Sequence, residues 1–423
     1  MLRILRYTSP YAIFFSLGLV FFFLMLVLPK AYQLERGILL FTLLIGSLIN
    51  VINGSWRLNT TILLWGFLTI SASVMFVFIG SINNTPGALR VSTVYVLWPM
   101  IFIFFIGIIN RSEQLFPFLR VIVVSAIVVA LMAIILVADG VFGLNLNLFA
   151  FFEMQSAGLG LYDGVIEFRL LNMSTAIYAV PFLLGVLFIS PALPPFQKHW
   201  RKLVWVAFVL SIVVLLISGR RAFLLIALLS PFVVWCLMLM ANIRVYVFKW
   251  IIVSTIFGMV FAVIIIPIFG LDLSLVWENF TNGFNSEDDT SSLSVRKEQF
   301  IALMNGWINA PILGAGHGAA AEGVVRDYEQ AWAYELSYNA LLFQTGLVGI
   351  LVYSSAVLWI FIKGISMMRK LPESAGLLIP TLSGLFCFLV ANATNPYLGS
   401  FDYLWVIFLP VAILNSYMLR ETR

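Results

Sequence analysis

Residues 117–138 read PFLRVIVVSAIVVALMAIILVA, 22 residues in which Arg120 is the single charge. That run matches the roughly 20 residues an α-helix needs to cross the hydrocarbon core of a bilayer. A helix apolar on every side is buried either in a protein core or in lipid, and the surrounding chain decides for lipid. Eleven further apolar stretches lie near 11–30, 36–52, 61–81, 91–110, 170–190, 203–219, 221–241, 247–270, 337–363, 375–393 and 401–418. The composition agrees. Of 423 residues 62% are hydrophobic and 10% charged, with a mean hydropathy of +1.05, whereas a soluble domain carries about 25% charged residues. Soluble, collagen-like, coiled-coil and disordered readings are excluded. The expected fold is an all-α integral membrane protein of about 12 transmembrane helices, with residues 1–423 forming one polytopic membrane domain.

Charge distribution sets the expected orientation. With the N-terminus in the cytoplasm, the inner loops hold 15 of the 24 basic residues and 3 of the 19 acidic ones, a net +12, while the outer side nets −7. Basic residues favour the cytoplasmic side, so both termini are expected inside, and the first span behind Arg3 and Arg6 reads as an uncleaved signal anchor. Two longer polar stretches, 139–169 and 271–336, then face outward. The second, between spans nine and ten, is a loop subregion with an interfacial helix near its end. The net charge of +5, split this way, gives no reason to expect nucleic acid. No internal repeat is visible, which argues against a transporter built from two related halves. Chemistry or binding at the outer face is the expectation.

Few residues there can carry chemistry. Two cysteines, Cys236 and Cys387, sit in apolar runs and read as small buried hydrophobes. Two histidines in all make a histidine-rich metal site untenable. Three groups of polar residues stand out. Arg220 and Arg221, in the run Ser218-Gly219-Arg220-Arg221, lie on the side the basic bias avoids, at a helix start whose dipole disfavours cations. Lipid-headgroup anchoring is the plain account of them, and an anion site is the functional one, because a guanidinium fork suits phosphate oxygens. Arg169, just before the sixth span, is a further phosphate ligand on the same reasoning. Arg296 opens a helical stretch on which Phe300, Leu303 and Trp307 share its face, ended by Pro311 and the run Gly314-Ala315-Gly316-His317-Gly318. His317 lies among glycines, so it reads as part of a flexible loop able to reach a substrate. Glu335 enters the tenth span with Asn339, Gly346 and Gly349 on one helical face, where the glycines would admit a neighbouring helix. A carboxylate so placed can act as a general base, although the helix dipole alone would also favour an acid there.

In order and spacing these pieces resemble the bacterial O-antigen ligase and Wzy-type O-antigen polymerase superfamily. Arg221 after the Ser218-Gly219 turn resembles that family's helix-start arginine. Arg296 followed by Trp307, Pro311 and Gly314-Ala315-Gly316 resembles its loop arginine with a downstream Pro-x-x-Gly-x-Gly. The stretch from Glu335 to Gly346-Leu347-Val348-Gly349 resembles the entry to its tenth span. Ligases usually carry histidine where this chain has Glu335, and a glutamate there looks more like the polymerase branch.

The resemblance implies a GT-C-like bundle in the bacterial inner membrane, with its active face in the periplasm. It implies a metal-independent inverting glycosyltransferase without cofactors. The donor would be an undecaprenyl-diphosphate-linked glycan, and the acceptor a second lipid-linked glycan in a polymerase or lipid A-core in a ligase. Membrane lipids and a chain-length regulator would be partners. Arg221 and Arg296 would hold the diphosphate and Glu335 would deprotonate the acceptor, with Arg220, Arg169, Asn339 and His317 lining the substrate. The alternative of another class is a lipid-linked oligosaccharide flippase.

Overall fold

A computed structural model describes residues 10–144, 146, 158–162, 165–170, 172–189, 198–218, 220–243, 292–324 and 328–421. The expected ninth span, 247–270, and the basic residues before the first span lie outside them. Within them the chain is a multi-pass bundle of apolar helices: α1 (Pro10–Val27), α2 (Gln33–Ile52), α3 (Thr60–Ile82), α4 (Ala88–Ser92) running through a π-turn into α5 (Trp98–Ile108), α6 (Ser112–Phe142), α7 (Met173–Ile189), α8 (Lys198–Ile217), α9 (Arg221–Met240), α10 (Ser292–Asn309), α11 (Ser337–Lys370), α12 (Ala375–Asn392) and α13 (Trp405–Glu421). Among the described residues nine helical stretches are long and apolar enough to cross a membrane, and two shorter apolar helices, Ile13–Val27 and Met173–Ile189, accompany them. Each expected span that falls on described residues coincides with one of these eleven.

Two features depart from the expected pattern. The polar stretch before α7 contains an antiparallel hairpin, β1 (Gly158–Tyr162) paired with β2 (Val165–Arg169). The last span starts at Phe401 as expected but not as α-helix: a 3₁₀ turn over Phe401–Tyr403 precedes α13, and Asp402 sits within it.

The bundle is centred on α7, where every residue but Phe188 is buried. Small residues make this possible, as Gly185 lies against the backbone of Pro380 on α12 and Gly384 of α12 against the ring of Tyr178. Short connections make sequential helices antiparallel, which sorts the polar groups into two ends. At one end Lys30 N–H donates to Asp402 (3.2 Å) and Gly87 N–H to the Gly318 carbonyl (3.1 Å). At the other, Arg420 bonds Ser112 and Lys370 pairs with Glu421. The first end, which carries the loop after α10, is called the loop end below. A small second core of Leu303, Ala319, Ala321, Tyr334, Ala340 and Phe343 packs that loop and α10 onto α11.

Candidate functional site

The loop end is organised around a break in a helix. Gly346, inside α11, has φ 61° and ψ −166°, a combination open to glycine and strained for any residue with a Cβ. The break strips backbone groups of helical partners where the neighbouring Gln344 and Thr345 are buried, and buried backbone groups need partners. The loop leaving α10 supplies them instead. Ala315 and Gly316 N–H donate to the carbonyls of Phe343 and Gln344 (3.0 and 2.9 Å), while Leu347 and Val348 N–H donate to those of Pro311 and Ile312 (3.0 and 3.1 Å). The Pro-x-x-Gly-x-Gly run is therefore a plug in α11. Gly316, at φ 96°, is needed on a second count, since a Cβ there would run into the backbone of Gly80 on α3. This corrects the expectation that Gly346 admits a neighbouring helix: it admits the plug, and Gly349 receives the ring of Phe76 from α3.

His317 follows directly. Far from lying in a loose loop, it is fully buried, and the reason is the plug that carries it inward. Its Nε2 lies 3.0 Å from the Tyr353 hydroxyl and its Nδ1 3.4 Å from Gln344 Oε1. Its ring stacks on Tyr95 with centroids 4.1 Å apart. Burial pulls its pKa down to about 4, with the Gln344 hydrogen bond opposing. The imidazole is thus neutral and fixed.

Arg296 and Glu335, 39 residues apart, meet: the guanidinium Nε lies 2.9 Å from Glu335 Oε2, with 30% and 25% of the two side chains exposed. The backbone N–H of Glu335 also donates to Oε1 of the buried Gln299 (3.0 Å). Glu335 precedes α11, whose cap position is Leu336, so the helical face drawn through Glu335 is corrected: the carboxylate belongs to the loop. The face of α10 is also corrected, because Gln299 and Leu303 are buried whereas Phe300 is 47% exposed. Packing on α11, rather than a lipid interface alone, selects that face. Asn339 is half-buried on the first turn of α11 and has no hydrogen bond to another described side chain.

Arg220 occupies the cap position of α9. It is half-buried, lies 5.6 Å from the centre of the Phe223 ring and hydrogen-bonds the Tyr397 side chain. Burial raises the Tyr397 hydroxyl to about 12, with the charge and hydrogen bond of Arg220 opposing. Arg221 opens the helix, and its side chain lies outside the described residues, as does that of Arg169 at the end of β2.

Beside these groups a cavity of about 1980 Å³ runs between α3, α4, α9, α11, α12 and α13. Its shaft is apolar, lined by Trp65, Phe232, Leu237, Phe361, Ile365 and Phe386. Its mouth at the loop end is polar, with Lys30, Gln33, Arg90, Glu329, Gln330 and Asn392. Arg296, Glu335 and Arg220 do not line it, but Tyr334 and Ser337, which bracket Glu335 and Leu336, do, and so do Gln344 and Tyr353, the partners of His317.

Sequence reasoning passed over the polar groups nearest that mouth. Arg36 and Asp402 form a buried ion pair, with the guanidinium between the rings of Phe21 and Phe401 at 6.0 and 5.8 Å, and Asp402 faces the cavity. Arg90 lies 5.9 Å from the Trp332 ring. The signal that would have found Arg36 and Arg90 is the one used for Arg220: cations on the side the basic bias avoids. No family model matches the chain, and no curated protein matches it.

Proposed function

We propose that this protein is a glycosyltransferase of the bacterial inner membrane, moving a glycan from undecaprenyl diphosphate onto an acceptor sugar at the periplasmic face, as an O-antigen polymerase of the Wzy type does. The observation that carries the reading is the cavity: an apolar shaft suited to a polyprenyl tail, opening at a polar mouth beside the Arg296–Glu335 pair. The loop end is then the periplasmic end and both termini are cytoplasmic, as the basic bias favours.

The pair gives the reaction its logic. Before donor binds, Arg296 is neutralised by Glu335. An arriving diphosphate, with more charge and a better geometric match to the guanidinium fork, takes Arg296 over. Glu335 is then released to accept the proton of the acceptor hydroxyl. The hydroxyl oxygen attacks the anomeric carbon, the bond from that carbon to the diphosphate oxygen breaks, and the anomeric configuration inverts. Arg296 and Arg221 hold the charge that gathers on the departing undecaprenyl diphosphate.

The test is elongation of purified lipid-linked repeat units by the isolated protein, read as a ladder on a gel. A ladder supports the polymerase. Transfer only when lipid A-core is supplied makes it a ligase, and no transfer to either acceptor refutes the enzyme reading.

A further inference from the structure

The segment from Tyr328 to Tyr338 forms much of one wall of the cavity mouth, and its composition is unlike the rest of the lining. Tyr328, Trp332, Tyr334 and Tyr338 all line the mouth, interleaved with Glu329 and Gln330 and facing Arg90 and Asn392. Two of the four rings are spoken for as walls: the Tyr334 hydroxyl accepts from Ala321 N–H (2.6 Å) and the Tyr338 hydroxyl donates to the Leu389 carbonyl (2.6 Å). The other two are not. Tyr328 is 95% exposed. The Trp332 indole N–H and the Gln330 side-chain amide have no hydrogen-bond partner among the described residues.

Trp332 is nevertheless held firmly in place. Its carbonyl accepts from Gln344 Nε2 (3.3 Å), the Arg90 guanidinium lies beside its ring, and its ring rests on Gly87, where any Cβ would collide with it. The chain thus omits a side chain at position 87 and orders an indole whose own donor is left for something else. Lys30, Arg90, Glu329 and Asp402 all line the mouth, Asp402 being already paired with Arg36 and bonded by the Lys30 N–H, so charges of both signs surround the indole. Rigid rings with an apolar face and a polar edge, beside planar amide, carboxylate and guanidinium groups, match the two surfaces of a pyranose. Its C–H face packs on an aromatic ring and its neighbouring hydroxyls take paired hydrogen bonds from planar side chains.

We infer that the Tyr328–Tyr338 wall is a saccharide subsite, with Trp332 and Tyr328 as stacking platforms and Gln330 and Glu329 reading the hydroxyls. The inference rests on the proposed function for its claim that this sugar is part of a lipid-linked glycan. It adds that sugar identity is read here, three residues from Glu335, while the lipid is held in the shaft.

The experiment uses the full chain in nanodiscs. The probe is the oligosaccharide pool released by mild acid from the producing cell's own polyprenyl diphosphates, with binding read by saturation-transfer NMR on the sugar ring protons. Glycan-free undecaprenyl diphosphate is titrated in parallel. Trp332→Ala should weaken glycan binding by about tenfold, the scale of one aromatic contact, and leave undecaprenyl diphosphate binding within twofold of wild type. Trp332→Phe should keep most of the affinity. Tyr328→Ala, on a fully accessible side chain, tests the same wall without risk to folding. Unchanged glycan binding in both Trp332→Ala and Tyr328→Ala overturns the subsite, as does saturation transfer to lipid headgroups alone. Glycan binding that depends on Trp332 in a protein that transfers nothing would leave the subsite standing and remove the transferase reading.

Discussion

Glu335 receives the Arg296 guanidinium at 2.9 Å across 39 residues of chain, joining the helix that packs over the loop end to the start of the broken helix α11. The contact changes what each residue can be. Arg296 without a substrate is a neutralised cation rather than an open anion trap. Glu335 is a carboxylate already engaged by a charge that a phosphate would compete for.

Removing either partner should therefore affect transfer far more than folding. Both side chains are about a quarter to a third exposed, so the pair's stability contribution lies near the upper end of surface pairs, about 1 kcal/mol. Arg296→Ala and Glu335→Gln should each abolish long glycan chains while the melting temperature of the purified protein moves by only a few degrees. Arg296→Lys should also fail, because an ammonium cannot reproduce the bidentate fork. A Glu335→Gln variant with full activity would remove the base role.

The plug in α11 should be intolerant of a single methyl group. Gly346→Ala forces a residue with a Cβ into φ 61°, ψ −166° and drives that carbon against the Ile312 carbonyl. The backbone strain alone costs about 1–3 kcal/mol. Loss of thermal stability, with proteolysis appearing first in the loop after α10, is the expected result, read by melting curves and limited digestion. A Gly346→Ala protein as stable as wild type would show that the plug does not hold the break.

His317 predicts an acid-sensitive fold. Its folded pKa of about 4 lies below the ordinary 6.5, so between those values the unfolded chain binds the extra proton. Stability contributed by the neutral imidazole is complete above pH 6.5 and is lost as pH falls toward 4. Melting temperature should drop over that window in the wild type and drop less in His317→Gln. An unchanged pH dependence in the variant would mean that other groups dominate acid unfolding. By the same argument His317 contributes no titration to activity between pH 6.5 and 8.

Asp402 and Arg36 are a buried pair at the cavity mouth. Breaking such a pair by removing one partner costs about 3–5 kcal/mol, because the other charge stays buried alone. Asp402→Asn and Arg36→Leu should each lower stability severely, and the double substitution should be milder than the sum of the two. Additive losses in a double-mutant cycle would show that the pair is not coupled.

The helices were legible because lipid demands contiguous apolar length, and that demand is written locally in stretches such as 117–138. Arg296, Glu335 and Pro311–Gly316 were each visible as well, since a cation on the wrong side, a carboxylate at the entry of a span and clustered glycines are local signals. Their arrangement was not. Nothing in the spacing says that Arg296 closes on Glu335, or that the Pro311–Gly316 run fills a gap at Gly346, because both are contacts between separate elements made by packing. Helical periodicity misled at two points: it extended the face of α11 back to Glu335, and it put Phe300 on one face with Leu303, although Leu303 is buried and Phe300 is 47% exposed. Contacts of the loop and of Gln299 with α11 override the local period in both. The pairing of Arg36 with Asp402 was hidden because 366 residues separate them.

The measurement that tests the central claim most directly is elongation of purified lipid-linked repeat units by the isolated protein, wild type beside Arg296→Ala and Glu335→Gln. The account predicts a ladder of products with the wild type and none with either variant, at equal protein in the membrane. A ladder from both variants, or no product from a wild-type protein that binds the lipid-linked units, would contradict it.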